Sequence, residues 1–215
     1  MLNELAPELA DSQAGKLNLN ALPHLKNIIR IGDEPAAGMF SFSDIMQRAT
    51  DAQKLELDAI AATLHCDQDI NIQFTSGTTG NPKGATLSHK NILNNGFLMA
   101  QAMKLTHEDK LCIPVPLYHC FGMVLGNLVC ISKGATAVFP GDSFNPKTTL
   151  EVVEKERCTG LHGVPTMFLA ELELKDFANY DLSSLRTGVM AVTTCTTPVM
   201  RKVYSLKPNN RSGTG

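Results

Sequence analysis

Ile70-Asn71-Ile72-Gln73-Phe74 runs directly into Thr75-Ser76-Gly77-Thr78-Thr79-Gly80-Asn81-Pro82-Lys83-Gly84. An apolar-alternating run reads as a strand. The ten residues after it hold three glycines, four hydroxyls and one lysine. A helix-like segment opens near Ser88. Glycine lets the backbone approach an anion closely, and free amide N–H groups in such a loop form a concave donor surface. The hydroxyls add donors, and Lys83 adds a compact positive charge. A phosphate cradle accounts for this composition better than a solvated turn between two strands.

The loop departs from the Walker A pattern, in which Gly-Lys-Ser/Thr opens directly into a helix. Here Pro82 precedes Lys83, and Gly84-Ala85-Thr86 continue as extended chain. Proline keeps Asn81 out of the helical region and removes one N–H donor. Lys83 is therefore expected to reach a phosphate from beyond the turn, not from a helix N-terminus.

Outward from the loop, strands alternate with helices. Ser88 is positioned to cap a helix through about Met103, with Ile92, Leu93, Gly96 and Ala100 on one face. Leu111 to Pro114 reads as a strand, Gly122 to Ser132 as an apolar helix ended by Gly134, and Ala135 to Phe139 as a strand. A helix from Asn145 to about Arg157 follows, then a strand at Gly160 to Gly163. Pro165 to Leu174 is helical, with proline in its first turn, and Thr187 to Ala191 is strand-like. This order predicts an α/β fold, a mostly parallel sheet with helices on both faces. It places the Thr75 loop at a strand's carboxyl end, where such sheets bind ligands. Upstream, residues 1–40 are irregular with one strand at Ile28 to Ile31. Ser41 or Ser43 caps a helix holding Ile45, Met46 and Ala49. A second helix, Ala52 to Leu64, carries Leu55, Leu57, Ile60 and Ala61 as its stripe. Residues 205–215 are polar and aperiodic and read as a disordered tail.

The chain has 215 residues, 43% hydrophobic and 19% charged, with a net charge of −2, a balance suited to burying a core. It shows no basic stripe, which argues against nucleic acid. The first ten residues contain Glu4 and Glu8 but no lysine or arginine, unlike a secretory leader. No apolar run approaches the roughly 20 residues of a membrane span. These features lead to the expectation of a cytoplasmic protein. The six cysteines, at 66, 112, 120, 130, 158 and 195, form no C-x-x-C pair and do not join histidines at zinc spacing. They are expected to be reduced, with Cys112 and Cys130 in the core, and no structural metal is expected. His24, His65, His89, His107 and His162 read as ordinary surface or core residues.

Thr75 to Gly84, with Ala85-Thr86-Leu87-Ser88-His89 behind it, resembles the signature phosphate loop of the adenylate-forming superfamily. Pro116-Leu117-Tyr118-His119-Cys120-Phe121-Gly122 resembles that family's next motif, and Gly163-Val164-Pro165-Thr166-Met167-Phe168 the one after. Within the superfamily the wording is most similar to medium-chain and bacterial fatty-acyl-CoA synthetases, to about Val203. The resemblance implies part of the large N-terminal domain of these enzymes, with residues 41–204 as a partial adenylation domain. It also implies a two-step reaction on ATP, a medium- or long-chain fatty acid and coenzyme A, with Mg²⁺ assisting. Thr75, Ser76, Gly77, Thr78, Thr79, Gly80, Lys83 and Gly84 are then the phosphate-binding residues. Lys83 and His119 are the catalytic ones, with His119 bordering the acyl and pantetheine channel. Gly163 and Thr166 would lie near the acyl pocket, although a strand end and a helix start explain them equally well.

The chain also departs from that family. It has no Tyr-Gly-x-Thr-Glu motif, whose glutamate binds Mg²⁺ and whose neighbours meet adenine, and none of the later ribose, hinge and lysine segments. Gly188-Val189-Met190-Ala191-Val192-Thr193 resembles the adenine-side turn, but with Val192 where relatives usually carry glycine. The chain reads as the excised middle of a longer enzyme, followed from about Ser205 by an unrelated polar tail. Negligible turnover, weak nucleotide binding and self-association through uncovered sheet edges are the expected consequences. The alternative is a non-catalytic remnant with at most weak nucleotide-phosphate binding.

Overall fold

The computed structural model describes residues 1–32, 34–75, 80–191, 200, 201 and 203. Two compact units divide it, Met1–Leu64 and His65–Gly215. Ser76 to Thr79, Val192, Cys195 and the 205–215 stretch lie outside the described residues. Among the described residues no helix is long and apolar enough to cross a membrane.

The first unit begins with α1 (Leu2–Leu5) and a 3₁₀ turn, Pro7–Asp11. Its core is Ala6, Leu9, Leu17 and Leu19, with Leu22, Leu25, Ile28 and Met39 packed around them. Strands β1 (Ile29–Arg30) and β2 (Phe40–Ser41) pair in parallel. Ser41 caps α2 (Phe42–Gln47) by accepting the Asp44 N–H at 3.1 Å. Thr50 and Gln53 form a reciprocal capping box on α3 (Asp51–Ala61). The expected stripe on α3 is not core: Leu55, Leu57 and Ile60 are all more than half exposed.

The second unit opens with β3 (Asp69–Thr75) and β4 (Lys83–Ser88), which pair antiparallel as a separate two-stranded ribbon. This corrects the expected place of the Thr75 loop at the end of a parallel strand. Residues 76–82 are too few for a parallel crossover, which needs about a dozen residues or more, so the chain folds back as a hairpin. Ser88 then caps α4 (His89–Ala102) in a box with Asn91.

Strand β5 (Lys110–Cys112) lies between β6 (Thr136–Val138) and β7 (Gly160–Leu161), all parallel. Parallel bridges Gly160↔Thr187 and Gly163↔Met190 extend the sheet to the 187–191 segment. The sheet has cores on two faces. Leu111 and Ile113 join α4 and Phe121, Val129 and Cys130 in one cluster. Cys112 joins Leu150, Val153, Cys158, Leu161 and Phe168 in the other. Alternating direction along one strand produces that division. The fold is thus a mixed helix–strand domain built on a parallel sheet.

The apolar helix expected over 122–132 is broken into α5 (Cys120–Gly122), a π-turn (Met123–Leu128) and α6 (Val129–Lys133), ended by left-handed Gly134. α7 (Pro146–Glu156) starts at the Asn145 cap and ends at left-handed Arg157, and α8 (Pro165–Leu172) starts on proline. Asp109, which is buried just before β5, is paired with Arg186 and accepts the Thr159 hydroxyl at 2.6 Å.

Candidate active site

The loop's two ends are held by the ribbon. Thr75 is the register partner of Lys83, and Phe74 that of Gly84. Thr75, Gly80, Asn81, Pro82, Lys83 and Gly84 are all exposed. Lys83 makes no ion pair among the described residues, so its charge is available to a ligand. Gly80 has φ of +157° and open space where a Cβ would stand, so its glycine is required by backbone conformation. At Gly84 a Cβ would lie 2.9 Å from Ile72 Cγ2 across the ribbon, so cross-strand crowding accounts for that glycine. Ser76, Gly77, Thr78 and Thr79 fall outside the described residues.

His119 sits on a different element. It is the N-cap of α5, and its exposed ring accepts the Phe121 N–H on Nδ1 at 3.1 Å. Capping occupies one ring nitrogen and fixes the ring at the start of the helix. No described hydrogen bond or ion pair joins His119 to Lys83. Gly122 lies beneath this turn, where a Cβ would stand 2.3 Å from the Pro116 carbonyl oxygen. In the third motif, Gly163 is buried and donates its N–H to the Val189 carbonyl at 3.1 Å. Thr166 is exposed in the first turn of α8.

One histidine does more than the sequence reading gives it. His162 is fully buried and ties the segment after the second motif, Phe121 to Leu125, to the 189 backbone beside the third. Its Nδ1 accepts the Val189 N–H at 3.1 Å, and its Nε2 donates to the Leu125 carbonyl at 2.7 Å. The ring centroid is 5.3 Å from that of Phe121. These partners fix the neutral tautomer protonated at Nε2. Burial holds its pKa down at about 4. The Leu125 carbonyl belongs to the π-turn, so the widened turn and the buried ring occur together. Its position beside Gly163-Val164-Pro165-Thr166 is the one sequence signal that points to it.

Mg²⁺ has no evident carboxylate here. No Asp or Glu occurs between Asp69 and Glu108. Among the described residues, the only clustered metal-ligand types are His65, Cys66 and Asp67, all exposed. Asp67 already meets His65 and Lys90 at 3.5 and 3.8 Å, and this cluster precedes Asp69, at the end of the ribbon away from the Thr75 loop. The residues present do not fit a magnesium centre.

A profile of AMP-binding enzymes matches residues 9–212. The chain belongs to the AMP-binding enzyme family. YngI of Bacillus subtilis, whose own description as an acyl-CoA synthetase is provisional, is 49% identical over 203 residues. That alignment covers 94% of this chain and 37% of YngI. The mitochondrial medium-chain acyl-CoA ligase ACSF2 of Danio rerio is 40% identical over 208 residues, 96% of this chain and 34% of that protein. The anthranilate CoA ligase AuaEII, solved with anthranoyl-AMP, superposes with a TM-score of 0.74 at 27% identity. It is matched over 87% of this chain and 35% of its own. The chain therefore spans about a third of the length of the AMP-binding enzymes it resembles.

Proposed function

We propose that this chain carries the polyphosphate-gripping part of an AMP-forming acyl-CoA ligase acting on medium- or long-chain fatty acids. In that reaction a fatty-acid carboxylate oxygen attacks the α-phosphorus of ATP, and the bond to the pyrophosphate oxygen breaks. The thiol of coenzyme A then attacks the acyl carbon, forming the thioester and releasing AMP. Both reactants of the first step are anions, so holding them in line and offsetting charge is what the protein must supply. Thr75, Ser76, Thr78, Thr79 and the amides of Gly77, Gly80 and Gly84 would hold the β- and γ-phosphates. Lys83, a compact charge on a flexible stem, suits a pyrophosphate that moves as it leaves. His119 would border the channel for acyl chain and pantetheine.

The observation that carries this reading is the exposed Lys83, without an ion pair among the described residues, set opposite Thr75 at the turn end of the ribbon, within a family whose relatives include acyl-CoA ligases. The chain alone is proposed to turn over negligibly. ATP–pyrophosphate exchange with a panel of fatty acids tests this: background exchange is expected, and robust exchange would refute the inactivity. A second reading, a non-catalytic piece with weak phosphate binding, is favoured by the bare apolar side chains Ile72 and Phe74 beside the loop. Failure of ATP to raise the melting temperature would select it. The setting proposed is the cytoplasm, which fractionation of tagged protein would check.

A further inference from the structure

A cavity of about 330 Å³ lies on the α7–α8 side of the parallel sheet. Leu150, Leu161, Phe168, Leu172 and Leu182 line it, together with one ionisable side chain, Glu171. Glu171 is only 3% exposed. It makes no hydrogen bond or ion pair among the described residues. A polar group so little exposed and without a protein partner is unusual, and a water or a ligand in the cavity would account for it. The space is more than adequate, since an apolar cavity of about 150 Å³ already takes benzene.

The cavity lies on the opposite face of the sheet from the cluster that holds Phe121 beside His119. Leu161 and Phe168 share a cluster with Cys112, whereas Phe121, next to His119, packs with Leu111 and Ile113 on the opposite face. Residues 187–190 form part of the cavity wall, so an occupant would touch the segment held by His162.

Charge decides the class of occupant. Burial raises Glu171 to about 8, which leaves it mainly protonated near neutrality. A neutral carboxyl offers one O–H donor and acceptor oxygens. A hydroxyl head answers both at once without burying charge. An ammonium head would force Glu171 to ionise and place two charges in an apolar chamber, where desolvation offsets their attraction. A carboxylate head would bury a charge with only one donor to answer it, so the fatty-acid substrate is a poor fit. We propose that this cavity binds an uncharged aliphatic molecule bearing a single hydroxyl, with Glu171 as its polar anchor. This site stands independently of the acyl-CoA ligase reading.

The test is titration of the full chain with 1-hexanol, followed by methyl NMR, beside n-hexane and hexylamine. Saturable shifts are expected at Leu150, Leu161 and Leu182, with Leu111 and Val129 across the sheet unmoved. Hexanol should bind more tightly than hexylamine. Glu171→Leu should weaken hexanol about tenfold, the loss of one good hydrogen bond, and leave hexane unchanged. Glu171→Gln, which keeps a donor and an acceptor, should retain hexanol binding. Absence of saturation, shifts on the Leu111 face instead, tighter binding of hexylamine, or equal hexanol affinity in Glu171→Leu would each overturn the proposal.

Discussion

Thr75 and Lys83 are register partners at the turn end of the β3–β4 ribbon, the last pair before the chain turns. Paired strands hold opposed Cα atoms roughly 4.5–5.5 Å apart, so residues 76–82 leave and return at nearly one point. The lysine backbone is fixed by the ladder while its side chain meets solvent. Such an arrangement holds a cation at the mouth of a loop without requiring a helix dipole.

The ribbon's apolar face predicts self-association. Ile70, Ile72 and Phe74 project from alternate positions of β3 and are 45%, 62% and 65% exposed. Exposed apolar strands template pairing with another chain. Sedimentation velocity should show concentration-dependent oligomers that Ile72→Lys with Phe74→Lys disperses. A monomer at all concentrations in the parent protein would contradict this.

Two glycines should respond very differently to alanine. At Gly122 the new Cβ would collide with the Pro116 carbonyl, a backbone atom that cannot move aside. Gly122→Ala should cost about 2–4 kcal/mol in urea unfolding. At Gly80 there is open space and only φ is unfavourable, so Gly80→Ala should cost about 1 kcal/mol. Equal costs would remove the distinction between crowding and backbone conformation.

Stability should fall as pH rises from about 6.5 to about 8. Glu171, ordinarily near 4.5, is pushed up to about 8 by burial. The folded state then holds a proton that the unfolded state has lost, so its stabilisation is complete below 4.5 and disappears through 8. His162 acts in the opposite direction. Burial lowers it from 6.5 to about 4, so its contribution is present above 6.5 and lost as pH falls through 4. Between 4.5 and 6.5 the two slopes oppose each other, and above 6.5 only that of Glu171 remains. Urea midpoints measured against pH should show the decline, and Glu171→Gln should abolish it. A flat profile in the parent protein would contradict the buried, unpaired carboxyl.

Much of this fold is legible locally. Ser41, Ser88, Asn145, Pro165 and Gly134 mark helix ends because capping joins a side chain or a backbone angle to its own nearby chain. What was not legible depends on distant partners. Ile70–Thr75 reads clearly as a strand, yet only the brevity of 76–82 shows that it turns back on itself. The π-turn coincides with a bond from His162 to Leu125 that periodicity cannot reveal. The stripe on α3 has the right spacing, but spacing does not say whether anything covers it. At the candidate site, the glycine loop and Lys83 could be read from composition. The buried bridging histidine and the cavity at Glu171 could not, because burial emerges only from packing.

The most direct test of the central claim is calorimetric titration of inorganic tripolyphosphate into the protein and into Lys83→Met. Tripolyphosphate isolates the grip on the polyphosphate tail from every adenine or ribose contact. Saturable binding is expected in the parent, weakened about tenfold or more in the variant, with the melting temperature unchanged because Lys83 is exposed. Absence of binding, or equal binding by both proteins, would contradict the assignment of this loop as a phosphate cradle.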